Sequence, residues 1–215
     1  MKSCIKRLKF IKCQVQASNC TSPVTDGINY LEFLDFLSDE EKEMRAKLRK
    51  ELETNVLPNI NYYYDKTTFP EEFLETMRNL GLGGATIKGH RSMVLSPLMT
   101  GIVLMELFRI DPSLGTFYFV HNLVALATIN ILGSENQKEK YIPDGCRFKN
   151  VYSFGLTEPS NGSDASNSST VAEKTAGGYI INGTKRWIGN ATHATAIMIW
   201  ATLEGCRLYT YDDAD

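Results

Sequence analysis

Apolar positions recur at helical spacing up to about residue 150 and then shorten into strand-like runs parted by glycine turns. Met44, Leu48, Leu52, Val56 and Ile60 return every four residues among Glu, Lys and Arg, an apolar stripe on a charged helix. Ser38-Asp39-Glu40-Glu41 supplies a capping box at its start, the Ser38 hydroxyl accepting from the Glu41 N–H and the Glu41 carboxylate returning to Ser38. Pro58 is expected to kink or interrupt this helix near its end. A second helix opens at Pro70, placed as its first residue, and stops at Gly81. A third runs from Ser96-Pro97 through Met99, Ile102, Val103, Met105 and Leu107 to about Ile110. A fourth spans about Ser113 to Leu132 and stops at Gly133. Ser134-Glu135-Asn136-Gln137 is a second capping box, opening a short helix that Pro143 is expected to stop.

The fourth helix is apolar nearly all round, which raises a membrane span. His121, Asn122 and Asn130 would each sit unsatisfied in lipid, so a helix buried inside a bundle is preferred. Beyond it, Val151–Leu156 and Thr170–Lys174 have strand composition. Gly177-Gly178 and Asn182-Gly183 are turn signals. Tyr179-Ile180-Ile181, Lys185-Arg186-Trp187, Ala196–Trp200 and Arg207–Tyr211 read as further short strands, an antiparallel sheet or small barrel with exposed edges. The fold class is therefore α+β. A basic N-terminal arm or targeting segment covers 1–29, an all-α helical domain 30–150, and a partial antiparallel β domain 151–215.

Composition changes this picture little. Of 215 residues, 43% are hydrophobic and 22% charged, ordinary for a globular protein, and the net charge of −2 gives no whole-chain reason to expect nucleic acid or an anionic membrane. The five cysteines, Cys4, Cys13, Cys20, Cys146 and Cys206, are scattered without ligand spacing, which points to reduced thiols inside a cell and no metal site. Lys2, Lys6, Arg7, Lys9 and Lys12 precede any acidic residue. This fits a mitochondrial presequence or a merely disordered basic arm, and the apolar run of a secretory signal is missing. Without such a signal, the five glycosylation sequons at Asn19, Asn161, Asn167, Asn182 and Asn190 read as chance. His90, His121 and His193 do not cluster with carboxylates or thiols, and His121 reads as a satisfied core histidine. Gly81, Gly83 and Gly84 follow a helix and lack GxGxxG spacing, so they read as a cap and loop and not as a phosphate cradle.

The candidate chemistry lies at the helix-to-strand junction, Phe154-Gly155-Leu156-Thr157-Glu158-Pro159-Ser160-Asn161-Gly162-Ser163-Asp164. A loop dense in small hydroxyls, glycine and uncovered backbone suits a large anionic cofactor, because free N–H and O–H groups can point at its oxygens.

This stretch, with Lys185-Arg186-Trp187-Ile188-Gly189-Asn190, resembles the acyl-CoA dehydrogenase and acyl-CoA oxidase flavoproteins. Phe154, Thr157-Glu158-Pro159 and Gly162-Ser163-Asp164 match the family's aromatic-x-x-Thr-Glu-Pro-x-x-Gly-Ser-Asp signature in register. Glu106–Asp111 and Gly133–Tyr141 extend the likeness upstream, and it covers roughly residues 30 to 211. Within the family the chain resembles the plant short-chain peroxisomal acyl-CoA oxidases and the glutaryl-CoA dehydrogenases. The resemblance implies FAD as cofactor and Phe154, Gly155, Leu156, Thr157, Gly162, Ser163, Trp187, Ile188 and Gly189 as its contacts. Thr157 and Leu156 would hold the pyrimidine edge of the flavin, and Ser163 the pyrophosphate and CoA arm. Trp187 and Ile188 would lie beside the ring, with Gly189 near N5. Val120 is a candidate floor of the acyl pocket.

The same resemblance implies removal of an α proton and a β hydride from an acyl-CoA, giving the trans-2-enoyl-CoA of fatty-acid β-oxidation. The proton-accepting glutamate belongs to a C-terminal helical domain absent from these 215 residues. No catalytic residue is therefore assigned, and little turnover is expected of this chain alone. Glu106 and Glu158 read instead as a salt-bridged helix residue and a loop-structuring residue. Many relatives carry a threonine or serine where Gly189 stands. The open position favours an oxidase using oxygen, with a dehydrogenase using an electron-transferring flavoprotein, or a non-catalytic binding protein, as alternatives. Gly115 stands where glutaryl-specific members carry arginine, which disfavours a dicarboxylyl substrate. A homotetrameric parent is implied. The compartment is peroxisomal by resemblance or mitochondrial by the basic N-terminus.

Overall fold

The structure, a computed structural model, describes residues 33–89 and 93–204. The expected basic arm 1–29, His90, the expected strand Arg207–Tyr211 and all cysteines except Cys146 lie outside the described residues. Two units are distinguished, Met1–Lys42 and Glu43–Asp215. In the first, a 3-10 turn at Phe33–Phe36 precedes Ser38, whose capping box forms: the Glu41 N–H donates to the Ser38 hydroxyl at 3.2 Å, and the Ser38 N–H to the Glu41 carboxylate at 3.0 Å.

That box starts α1 (Asp39–Glu51), which widens into a π turn at Leu52–Val56 and tightens into a 3-10 turn at Leu57–Asn59 before α2 (Ile60–Lys66). A stripe repeating every four residues drifts about 40° per step around an α-helix of 3.6 residues per turn. The wide turn takes back that drift, so Leu48, Leu52 and Val56 all stay buried. Pro58 sits in the 3-10 turn, the expected interruption.

α3 (Glu71–Asn79) has Pro70 as its cap, one position before the expected first-turn place, and Gly81 follows at φ 66. α4 (Pro97–Ile110) is capped by Ser96, whose hydroxyl accepts from the Met99 N–H. The long apolar helix begins at Asp111, whose carboxylate accepts from the Ser113 and Leu114 N–H groups. It runs as α5 (Pro112–Tyr118), a π segment Phe119–Leu126 and α6 (Ala127–Leu132). Among the described residues it is the one helix long and apolar enough to span a membrane. Its buried polar residues are satisfied by protein: Asn122 Oδ1 accepts from the Gly84 N–H at 2.6 Å, and both His121 nitrogens are bonded.

α7 (Glu135–Cys146) carries the second capping box at Ser134 and Gln137. Pro143 was expected to stop this helix, and it does not. It removes only the hydrogen bond to the Glu139 carbonyl, on an exposed residue of the helix. The turn beyond it is held by burial of Ile142, Gly145 and Cys146, and by a bond from His121 Nε2 to the Gly145 carbonyl at 3.0 Å. Gly83 is a contact glycine at that point, for a Cβ there would lie 1.9 Å from the Cys146 carbonyl oxygen.

Strands β1 (Tyr152–Gly155), β2 (Val171–Thr175), β3 (Gly178–Asn182), β4 (Ala196–Ile199) and β5 (Thr202–Leu203) complete the α+β chain. The pairing departs from the expected antiparallel sheet. β2 and β3 form an antiparallel hairpin, whereas β1 pairs β4 and β2 pairs β5 in parallel. A tight turn at Gly177-Gly178 permits only the first arrangement. The long connection from β1 to β4, which contains the hairpin, permits the second. Edge strand β3 is exposed along its length.

Lys185-Arg186-Trp187 was expected to be a strand and is a loop. The Arg186 N–H donates to the Thr157 carbonyl, Lys185 turns inward, and Trp187 and Asn190 adopt φ 61 and 65. Such left-handed positions end any strand ladder.

Candidate functional site

β1 delivers the junction loop to the face of the long helix. His121 fixes that approach: its Nδ1 accepts from the Tyr152 N–H at 3.0 Å, so the ring proton lies on Nε2, which donates to the Gly145 carbonyl. Burial pushes its pKa down to about 4, against a raising effect of the Gly145 bond, and the ring stays neutral. The expectation of a satisfied core histidine holds.

The loop itself is folded around one carboxylate. Glu158 Oε1 accepts from Lys185 Nζ at 2.7 Å, the Ser168 hydroxyl at 2.6 Å, and the N–H and hydroxyl of Thr170 at 2.9 and 2.6 Å. Oε2 accepts from the Ser169 N–H at 2.6 Å. Lys185, then the two hydroxyls, hold this carboxyl well below the usual range against the opposing effect of burial. Glu158 is thus the organising centre of the loop and holds no proton to exchange.

Glu106, the other tempting carboxylate, is buried and bonded by Arg45, Arg49 and Arg109 at 2.8 to 3.1 Å. Burial favours its protonated form, but the guanidiniums outweigh it and lower the pKa. Both side chains have the structural parts expected of them.

Around this frame the structure gathers most of the residues singled out from the sequence. The Leu156 carbonyl accepts from Lys185 Nζ at 3.0 Å, and the Thr157 carbonyl from the Arg186 N–H at 2.8 Å. These two bonds hold the Thr157 turn against the Trp187 turn. Thr157 keeps its own N–H and hydroxyl without a hydrogen-bond partner among the described residues, and it is half-exposed. Phe154 meets Trp200 edge-on at 5.9 Å. Gly155 is buried, and a Cβ there would come 2.9 Å from Ile199 Cδ1.

Trp187 is 78% exposed, with the Arg186 guanidinium over its ring at 4.3 Å. Ile188 and Gly189 are half-buried beside it. A Cβ built on Gly189 would lie 3.4 Å from Val120 Cγ2, so the loop position and the helix position chosen independently from the sequence are neighbours. Gly162 and Ser163 lie out on the exposed arm of the loop. Gly162 has open space around it, and Ser163 makes no hydrogen bond among the described residues.

Sequence reasoning gave no part to Lys185, Ser153 or Asn190. Lys185 pairs with a carboxylate 27 positions away, which no local pattern announces. The Ser153 hydroxyl donates to the Gly189 carbonyl, and Asn190 Nδ2 to the Phe117 and Tyr152 carbonyls. The one available signal was the presence of Lys185 and Asn190 at the two ends of the second motif.

Residues 38–149 match the acyl-CoA dehydrogenase N-terminal domain and residues 153–212 the acyl-CoA dehydrogenase middle domain. The chain is 29% identical over 189 residues to mitochondrial isovaleryl-CoA dehydrogenase of Bos taurus, covering 86% of this chain and 43% of the relative. It is 30% identical over 172 residues to the mitochondrial short-chain specific acyl-CoA dehydrogenase of Rattus norvegicus, covering 80% and 42%. The crystal structure of a Mycobacterium smegmatis glutaryl-CoA dehydrogenase in complex with FADH2 superposes with a TM-score of 0.75 at 30% identity, over 78% of this chain and 44% of that one. An acyl-CoA dehydrogenase of Bacillus anthracis complexed with FAD gives 0.71 at 26% identity, over 80% and 30%. The chain spans less than half the length of these relatives. With both domain matches in order along the chain and the junction loop at their boundary, this protein belongs to the acyl-CoA dehydrogenase family.

Proposed function

We propose that the Phe154–Asp164 loop and the Trp187–Gly189 turn form the flavin-edge half of an acyl-CoA-oxidising site. One observation carries the reading: the N–H and hydroxyl of Thr157 are left without partners among the described residues, on a turn that is otherwise tied on both sides. Donors held in advance on a half-exposed turn suit the electron-rich pyrimidine edge of a flavin, because no reorganisation is needed when charge develops there. The exposed Trp187 ring offers the adjoining apolar wall, and the exposed Ser163 hydroxyl a donor further out for a pyrophosphate. Solved relatives that contain FAD or FADH2 support FAD as the group.

FAD, when bound, supplies the acceptor for a hydride from the β carbon of an acyl-CoA, yielding the trans-2-enoyl-CoA. The part of this chain is to bind, orient and exclude water. Thr157 and the Leu156 backbone would hold the ring edge and Trp187 and Ile188 would cover its side, while Val120 borders the space beside Gly189. Neither Glu106 nor Glu158 accepts the substrate proton, since each is held ionised by cations and further donors. Gly115 lies beneath the Phe108 ring, where a Cβ would meet ring carbons at 2.7 Å. Gly115 itself brings no cation to pair a distal carboxylate, which favours a monocarboxylyl thioester. A homotetrameric whole protein fits the family reading.

The reading is tested by incubating the chain with FAD, removing free flavin and recording the visible spectrum. Retained flavin absorbance in the wild type and its loss in Thr157→Val are expected. A Thr157→Val protein that retains as much flavin as the wild type overturns the assignment of Thr157.

For the electron acceptor, Gly189 favours oxygen, because it leaves the space beside Val120 free of any side chain. The named relatives are dehydrogenases, and those with a stated compartment are mitochondrial, which supports a mitochondrial location over a peroxisomal one. Peroxide formed per acyl-CoA consumed under air, in an active parent and its Gly189→Thr variant, separates the two acceptors. A yield near one that falls in the variant supports oxygen; a negligible yield in both overturns it.

A further inference from the structure

The Trp187–Asn190 turn reaches the long helix at two neighbouring points. Asn190 Nδ2 donates to the Phe117 carbonyl at 3.0 Å, and Gly189 faces Val120 Cγ2 across the width of one side-chain carbon. Both helix residues flank the start of the π segment Phe119–Leu126. A wide turn opens the regular i→i+4 ladder, so carbonyls at its mouth can accept donors from outside the helix. The same Asn190 amide reaches the Tyr152 carbonyl of β1 at 3.4 Å, while the Ser153 hydroxyl bonds the Gly189 carbonyl. One side chain therefore joins helix, strand and turn. Asn190 also sits at φ 65, a conformation that asparagine and glycine tolerate and most residues do not.

We infer that Asn190 is the positioning residue of the proposed flavin site, docking the Trp187–Gly189 turn on the wide turn of the long helix and so fixing the gap between Gly189 and Val120. The inference rests on the flavin reading for its functional consequence but not for its structural one. Without the amide, the turn keeps its bond from Arg186 to Thr157 at one end and loses its hold on the helix at the other. Trp187, already exposed, then samples orientations that do not match a planar ring.

The test is Asn190→Gly, which keeps the backbone conformation and removes only the amide. Two readouts are taken on the whole chain: amide hydrogen exchange across residues 185–195, and quenching of Trp187 fluorescence by FAD in a Trp200→Phe background. The expected result is exchange at the His193 N–H faster by about tenfold or more, with the Arg186 and Tyr152 N–H groups unchanged, and FAD quenching weakened by about tenfold. Unchanged exchange in the turn overturns the positioning role whatever the flavin result. Faster exchange in the variant with no FAD quenching in the wild type sustains the docking role and overturns the flavin reading instead. Should Asn190→Gly fail to fold, Asn190→Asp carries the same test, since it keeps size and tolerance of positive φ but cannot donate when ionised.

Discussion

Lys185 Nζ lies 2.7 Å from Glu158 Oε1 and 3.0 Å from the Leu156 carbonyl, so one buried ammonium ties the second motif to the first. Glu158 has further donors and Lys185 further acceptors, which makes the two ends unequal. Lys185→Met removes one donor from a carboxylate that keeps Ser168, Ser169 and Thr170. Glu158→Gln turns an NH2 toward groups that are themselves donors. The expected order of thermal stability is wild type, then Lys185→Met, then Glu158→Gln, the last lower than wild type by about 5 °C or more. Calorimetry that finds Glu158→Gln as stable as wild type would remove Glu158 from the centre of the loop.

The buried Glu106 ion cluster gives a larger effect. Glu106→Ala leaves Arg45, Arg49 and Arg109 facing a buried gap and is expected to cost about 3–5 kcal/mol. Urea unfolding measures it. A loss under 1 kcal/mol would mean that solvent reaches the arginines readily.

Acid should weaken the link between β1 and the helices. His121 stays neutral when folded, with its pKa pushed down to about 4, whereas the unfolded chain binds the proton near pH 6.5. Unfolding therefore takes up a proton between those values, and stability that is complete above pH 6.5 is lost as pH falls toward 4, by about 3 kcal/mol at most. The depressed carboxyl of Glu158 adds to the loss below the ordinary glutamate range, for its contribution is present above that range and disappears on acidification. In His121→Gln the slope between pH 6.5 and 4 should flatten, with lower stability at neutral pH. An unaltered slope in denaturant midpoints across that window would assign it to other groups.

Gly83→Ala tests the close approach of the α3 loop to α7. Its Cβ would overlap the Cys146 carbonyl, backbone that no rotamer change can move. A loss of about 1–3 kcal/mol is expected from overpacking, and Gly101→Ala, in open space on α4, serves as the neutral comparison. Equal stability of the two variants would contradict the packing described.

The helical half was legible because its ends are written locally. Ser38, Ser96 and Ser134 are caps whose hydroxyls bond the N–H three residues on. The wide turns at Leu52–Val56 and Phe119–Leu126 were not legible, since an apolar residue every four positions fits either a drifting α-helix or one that widens to correct it. Pro143 misled because proline's local cost is set against burial of Ile142 and Cys146, which only the fold reveals. The parallel partners of β1 and β2 come from positions about 30 to 45 residues downstream, beyond the reach of turn chemistry. Within the site, the loop and Trp187 stood out by motif. Lys185, Ser153 and Asn190 did not, because their parts are defined by partners remote in sequence.

Thr157 and Trp187 are proposed to face one flavin ring. With only Trp187 and Trp200 in the chain, Trp200→Phe isolates the relevant fluorophore. Titration of that variant with FAD should quench Trp187 emission saturably, and Thr157→Val in the same background should weaken the quenching by about tenfold. Emission that falls only linearly with FAD, as by collision, and equally in both proteins would contradict the account.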